Sequence, residues 1–140
     1  MKIANLFAML LATVSLQALA QIESDYVPHL QRNSDEQRAF EEGCDTNQLD
    51  INLCSYYDFK VLDEHLNAVY KRLREQIRND PQATQRLTLA QRAWLNYVET
   101  DCLYQNGKRL EAGSGWPADQ NTCLSAHYKA RIALLEQFLR

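Results

Sequence analysis

The stretch that decides the fold is Phe59-Lys60-Val61-Leu62-Asp63-Glu64-His65-Leu66-Asn67-Ala68-Val69-Tyr70-Lys71-Arg72-Leu73-Arg74-Glu75-Gln76-Ile77. Phe59, Leu62, Leu66, Val69, Tyr70, Leu73 and Ile77 recur at steps of three and four, which lays them along one side of a helix that begins near Tyr56. Asn79-Asp80-Pro81 ends that helix and starts the next, with Asp80 as N-cap and Pro81 at the first helical position. The second stripe is Leu87, Ala90, Trp94, Val98 and Cys102. Asn106-Gly107 weakens this helix, and Gly113-Ser114-Gly115-Trp116-Pro117 reads as loop. A third helix is expected over 120–139, capped by Asp119, with Leu124, Tyr128, Leu135 and Phe138 on its apolar side.

Upstream, Ser34-Asp35-Glu36-Gln37 has the form of a capping box, with Ser34 as N-cap and Gln37 three residues on. Gly43 suits the position just past a helix end, so a short helix over 35–42 is expected. Residues 46–54 read as one further helical turn or two. No strand pattern, internal repeat or low-complexity tract is present. The expected fold is all-α: a small disulfide-bonded antiparallel bundle of three main helices plus a short N-terminal helix. Short connections make neighbouring helices antiparallel. The turn at 79–84 then pairs the first main helix with the second, and the loop at 107–119 returns the third along the second.

Residues 1–20 have the pattern of an export signal. Lys2 supplies positive charge, residues 3–16 are mostly apolar, and Ala18-Leu19-Ala20 offers small residues for cleavage. The apolar run is shorter than the roughly 20 residues of a membrane span, and Asn5, Thr13, Ser15 and Gln17 interrupt it. Cleavage after Ala20 predicts a periplasmic or secreted chain with no stable membrane anchor. In that chain residues 21–43 form a polar leader with the short helix, and residues 44–140 form the helical domain. The mature balance is fourteen basic against eighteen acidic residues, a net of −4. Acid dominates residues 21–70, with eleven acidic and three basic residues, whereas residues 71–140 carry seven acidic and eleven basic. That distribution argues against a nucleic-acid partner and suits a cationic protein, although a solvated acidic face serves solubility alone just as readily.

All four cysteines, Cys44, Cys54, Cys102 and Cys123, lie in the mature part. An even count in a short exported chain reads as two disulfides. Zinc sites draw ligands from tight pairs, and no Cys-x-x-Cys is present. Folding at the two turns brings Cys102 level with Cys123, which leaves Cys44 with Cys54. Four cysteines permit three connectivities, and sequence alone leaves them open.

Polar residues sit inside the apolar stripes. Asp63 and Asn67 share a face with Leu66 and Tyr70, Gln91 lies between Leu87 and Trp94, and Arg131 lies between Tyr128 and Leu135. Buried polar groups need partners, so Asp63, Asn67, Gln91 and Arg131 are expected to form a polar clasp that fixes helix register. The alternative, a ligand site between helices, lacks a nucleophile or base with an activator. His29, His65 and His127 are isolated in sequence, and no Gly-rich phosphate loop, G-x-S-x-G or H-E-x-x-H occurs. No catalytic residue, metal ligand or cofactor is assigned.

Two strings together resemble a known family: Leu62-Asp63-Glu64-His65-Leu66-Asn67-Ala68-Val69-Tyr70, and Gln91-Arg92-Ala93-Trp94-Leu95-Asn96-Tyr97 followed by Cys102, Cys123 and Arg131. In that order between cysteines they resemble the LprI-like lysozyme inhibitor domain over roughly residues 44–135. The resemblance implies a small helical, disulfide-bonded envelope module, with lysozyme inhibition in some members. The chain departs from the family pattern at Val98-Glu99, where arginine and aspartate are usual, and at His127, where threonine is common. The acid–arginine clasp thereby loses its usual cation, and Arg131 is the candidate replacement.

Two functional readings remain. The first is an inhibitor of lysozyme-type muramidases, whose sugar cleft carries paired carboxylates. Asp35, Glu36, Glu41, Glu42, Asp45 and Asp50 would steer a cationic lysozyme. The loop from Gly113 to Trp116 would enter the cleft, with Trp116 as anchor and Lys108 and Arg109 beside it directed at the enzyme's carboxylates. The alternative is an envelope interaction, scaffold or toxin-neutralising module without lysozyme activity.

Overall fold

The computed structural model describes residues 27–139. The expected export signal and its cleavage point lie outside these residues. Four helices follow one another: α1 (Ser34–Glu42), α2 (Gln48–Gln76), α3 (Pro81–Asn106) and α4 (Trp116–Glu136). Among the described residues there is no strand, and no helix is long and apolar enough to cross a membrane.

Helix ends follow capping chemistry, with several displacements from expectation. The N-cap of α1 is Asn33 rather than Ser34: its Oδ1 accepts from Glu36 N, and Glu36 Oε2 accepts from Asn33 N. The box therefore closes one residue early, because Glu36 accepts a backbone N–H better than the amide of Gln37 does. Gly43 ends α1 at φ 106°, a conformation that disfavours a side chain. Helix α2 begins at Gln48, well before Tyr56, with Asn47 Oδ1 accepting from Asp50 N. Its first two turns alternate polar and apolar residues instead of repeating at steps of three and four, and Leu49 and Ile51 are exposed, so no helical stripe advertises them. Asp80 caps α3 and Pro81 sits in its first turn, as expected. Helix α4 starts at Trp116, not at Gln120, and Pro117 lies in its first turn. Proline breaks helix interiors, but at the start its fixed φ is already helical and its missing N–H costs nothing.

The packing order differs from the order of connections. Helix α4 lies most extensively against α2, α3 packs on α4, and α1 packs on the first part of α2. Helices α2 and α3, though joined by the shortest turn, approach closely at few positions. The expectation that the turn at 79–84 pairs the first main helix with the second is corrected accordingly, whereas the third does return along the second and is joined to it by Cys102–Cys123. The physical reason is where the apolar surface lies. Leu66, Val69 and Leu73 of α2 meet Tyr128, Ile132 and Leu135 of α4, while α3 contributes only Val98 and Cys102 to the fully buried core. Ile132, absent from the expected α4 stripe, is buried, and Phe138, included in it, lies beyond the helix and is exposed.

Residues 27–33 have no regular structure but are not a loose leader. His29 N and Leu30 N donate to the Glu64 carboxylate, and Tyr57 Oη donates to Leu30 O. The Arg32 guanidinium lies 3.8 Å from the Phe40 ring centroid, which holds this segment over α1 and α2.

The cysteines are joined as Cys44–Cys54 and Cys102–Cys123, with Cα–Cα distances of 5.8 Å in each pair. The first ties the α1–α2 connection to α2. The second bolts α3 to α4 beside their connecting loop.

Candidate functional site

Two places concentrate polar chemistry. The first is the end of the molecule where α3 turns into α4. Gly107 terminates α3 at φ 66°, and residues 107–115 then form a tip. Trp116 Nε1 donates to Gly107 O at 3.0 Å, closing the tip on itself, and Asn52 Nδ2 of α2 donates to Ser114 O at 3.0 Å. Asn106 Nδ2 donates to Gln120 Oε1 at 3.1 Å, and the Cys102–Cys123 bond lies below it. The base is therefore fixed while the apex stands in solvent. Leu110 is 98% exposed, Lys108 and Arg109 are exposed beside it, and Tyr104 on the adjoining turn of α3 is 87% exposed. Lys108 Nζ lies 3.8 Å from Glu111 Oε1, a solvent-screened pair that leaves the lysine free to exchange partners. Trp116 is half-buried and lines, with Leu49, Leu53, Tyr56 and Arg109, a notch of about 320 Å³. It braces the tip, and the fully solvent-facing apolar residue there is Leu110. Sequence reading missed Leu110, because a single leucine in a loop carries no periodic signal.

The second place is the interior between helices. Arg131 Nε donates to Gln91 Oε1 at 3.1 Å, and its guanidinium lies 5.6 Å from the Trp94 ring centroid. Trp94 in turn meets Tyr128 edge-on at 5.0 Å, and Tyr128 meets Phe59 at 5.1 Å. Burial pushes the Arg131 pKa down. Asp63 and Asn67 do not join this arrangement. Asn67 Nδ2 donates to Asp63 Oδ2 at 3.2 Å, one turn apart on α2. Among the described residues no cation lies within ion-pair distance of Asp63, so Arg131 does not replace the missing arginine. Val98 occupies the core at 2% exposure instead. Burial pushes the Asp63 pKa up, against the Asn67 hydrogen bond that lowers it. Burial, then the negative charge of Asp63, raises that of Tyr128. The four polar residues thus form two separate pairs.

The acidic run is smaller than it reads. Glu36 and Asp50 are each 0% exposed. Glu36 meets Lys60 Nζ. Burial alone would raise its pKa, but Lys60, the Asn33 N–H and Arg32 outweigh that and hold it low. Asp50 accepts from Thr46 Oγ1 and from Arg38 Nη2, which lies at 2.8 Å. Those hydrogen bonds lower its pKa. Neither carboxylate can steer a partner. Asp35, Glu41, Glu42 and Asp45 remain on the surface, with Glu42 paired to Arg38 at 2.7 Å.

Each helical histidine bridges two helices. His127 Nε2 lies 2.8 Å from Asp101 Oδ2 across α4 and α3, and His65 Nε2 lies 3.0 Å from Glu136 Oε1 across α2 and α4. Cys102, Cys123 and His127 place their donor atoms within 4.8 Å of one another. The two sulfurs are bonded to each other, so this set offers no thiolate to a metal.

A four-helix chain stapled by two cystines, with a braced tip and ion pairs turned inward, defines a small disulfide-bonded all-α domain. Residues 39–135 match the family described as lysozyme inhibitor LprI, and the chain belongs to that family. No curated protein and no solved structure matches it.

Proposed function

We propose that the chain is exported to the periplasm or beyond and inhibits a lysozyme-type muramidase by inserting the tip at residues 107–115 into the enzyme's sugar cleft. The observation that carries this reading is the braced tip. Its apex presents an apolar residue, Leu110, between the cation pair Lys108–Arg109 and Glu111, while its base is held by Trp116, Asn52 and the Cys102–Cys123 bond. A pre-organised projection loses little entropy on docking. A muramidase cleft carries paired carboxylates, and two cations beside an apolar contact complement them. The membership of the family supports the choice of enzyme.

The test is a cell-wall turbidity assay with the processed chain, both cystines intact. Lysis should slow in proportion to added chain. The double variant Lys108→Glu/Arg109→Glu should lose at least about tenfold in potency with unchanged helicity and melting temperature. Unchanged potency of that folded variant would remove the tip from the interface. The alternative, an envelope scaffold or toxin-neutralising module, gains if the wild-type chain does not slow lysis at all.

A further inference from the structure

Helix α3 is the bundle's outermost main helix, and its solvent face is not that of a helix that ends its work at the core. Its inner side supplies Leu87, Gln91, Trp94, Val98 and Cys102. Directly opposite run Leu89, Ala93, Asn96, Thr100 and Leu103, at steps of four and three, all exposed. Large apolar residues stand at both ends of this row and small ones in the middle. The charges flanking the row are Arg92 and Glu99, seven residues apart on one side. Neither makes an ion pair among the described residues.

This row is self-complementary under a two-fold axis. The geometry points to a second copy of this chain as its occupant, packed antiparallel along α3 with the axis passing near Asn96. In that register Leu89 of each copy faces Leu103 of the other, and Arg92 of each faces Glu99 of the other. Ala93, Asn96 and Thr100 let the helices approach to about 8 Å. The Asn96 amides meet at the axis, where a polar residue at one position fixes register and orientation. Leu89 and Leu103 lie about 21 Å apart along the helix, so the paired segment spans four turns. A parallel two-fold arrangement would set the Arg92–Glu99 flank of each copy against the uncharged Ala90–Tyr97 flank of the other, which leaves both charges without a partner. Two-fold dimers bury the same patch on both copies. The apex at 107–115 lies outside the row, so the pairing does not depend on muramidase inhibition.

Sedimentation velocity of the processed chain with both cystines intact, from about 5 to about 200 μM at low salt, reads the pairing directly. The dimer fraction should rise with concentration. Arg92→Glu, which sets like charges together twice, should weaken dimerisation by about tenfold. Arg92→Glu/Glu99→Arg should restore it, because the pair is only exchanged. Both substitutions fall at exposed positions, and circular dichroism checks that each variant keeps its helices. A chain monomeric across the range would overturn the pairing, as would an Arg92→Glu variant that dimerises normally or a double variant no better than the single. If the chain is monomeric and Arg92→Glu instead weakens muramidase binding, the face serves the enzyme and the pairing is wrong.

Discussion

Replacing Cys102 and Cys123 together by alanine asks how far the bundle depends on its longer cystine. The two residues are 21 apart in sequence, and opening a loop of that size returns to the unfolded chain an entropy worth about 3.3 kcal/mol. The Cys44–Cys54 bond closes 10 residues, worth about 2.7 kcal/mol on the same scale. Loop entropy thus separates them only slightly. Packing separates them more: Cys102 and Cys123 belong to the main core cluster, whereas Cys44 is half-buried at the α1–α2 connection. Helix α3 also has few fully buried residues besides Cys102 to hold it on α4. The Cys102→Ala/Cys123→Ala variant should therefore lose more than 3 kcal/mol, a fall in Tm on the order of 12 °C or more for a domain of this size. The Cys44→Ala/Cys54→Ala variant should lose about 2–3 kcal/mol. Thermal melts followed by circular dichroism measure both. Equal losses, or a larger loss for the shorter loop, would refute the view that α3 depends on its cystine for attachment.

Further outcomes follow from the buried polar groups. Asp63 has its pKa raised by burial, so its charge opposes folding once the pH exceeds the ordinary carboxylate range. Asp63→Asn should melt higher than wild type at pH 7, with the difference closing as pH falls to about 3. Glu36 has a lowered pKa, so it stabilises above the ordinary carboxylate range, and that stability is lost as pH falls through its folded value. Glu36→Gln should accordingly cost about 2 kcal/mol at pH 7, where Lys60 is left without its partner, and much less near pH 2. Arg131→Ala should cost about 1–3 kcal/mol, because it removes the donor to Gln91 and the packing on Trp94. Chemical denaturation at pH 7 measures it, and a loss that vanishes in high salt would contradict a part-buried hydrogen bond.

The helices with apolar periodicity were readable. Leu66, Val69 and Leu73 lie on the predicted stripe and in the core, and Asp80-Pro81 starts α3 where its chemistry says it should. Five features escaped, in whole or in part, for physical reasons. The first two turns of α2 alternate polar and apolar residues and are held by Asn47 and Asp50 rather than by an apolar stripe at helical spacing. Trp116-Pro117 looks like loop because proline breaks interiors, yet it starts α4. Glu36 and Asp50 read as solvated acids because their cations, Lys60 and Arg38, sit 24 and 12 residues away in sequence. The clasp was half legible: Arg131 finds Gln91, but Asp63 turns to its own helix because Val98 offers no charge. At the tip, Lys108 and Arg109 stood out by charge, whereas the exposure of Leu110 and the bracing role of Trp116 depend on how α3 and α4 end.

Insertion of the tip into a muramidase cleft is best tested by calorimetric titration of the processed chain into a lysozyme, with the cleft empty and then filled by a saturating sugar oligomer. Apparent affinity should fall in proportion to cleft occupancy. Undiminished affinity for the filled enzyme, or no heat of binding to the empty one, would contradict it.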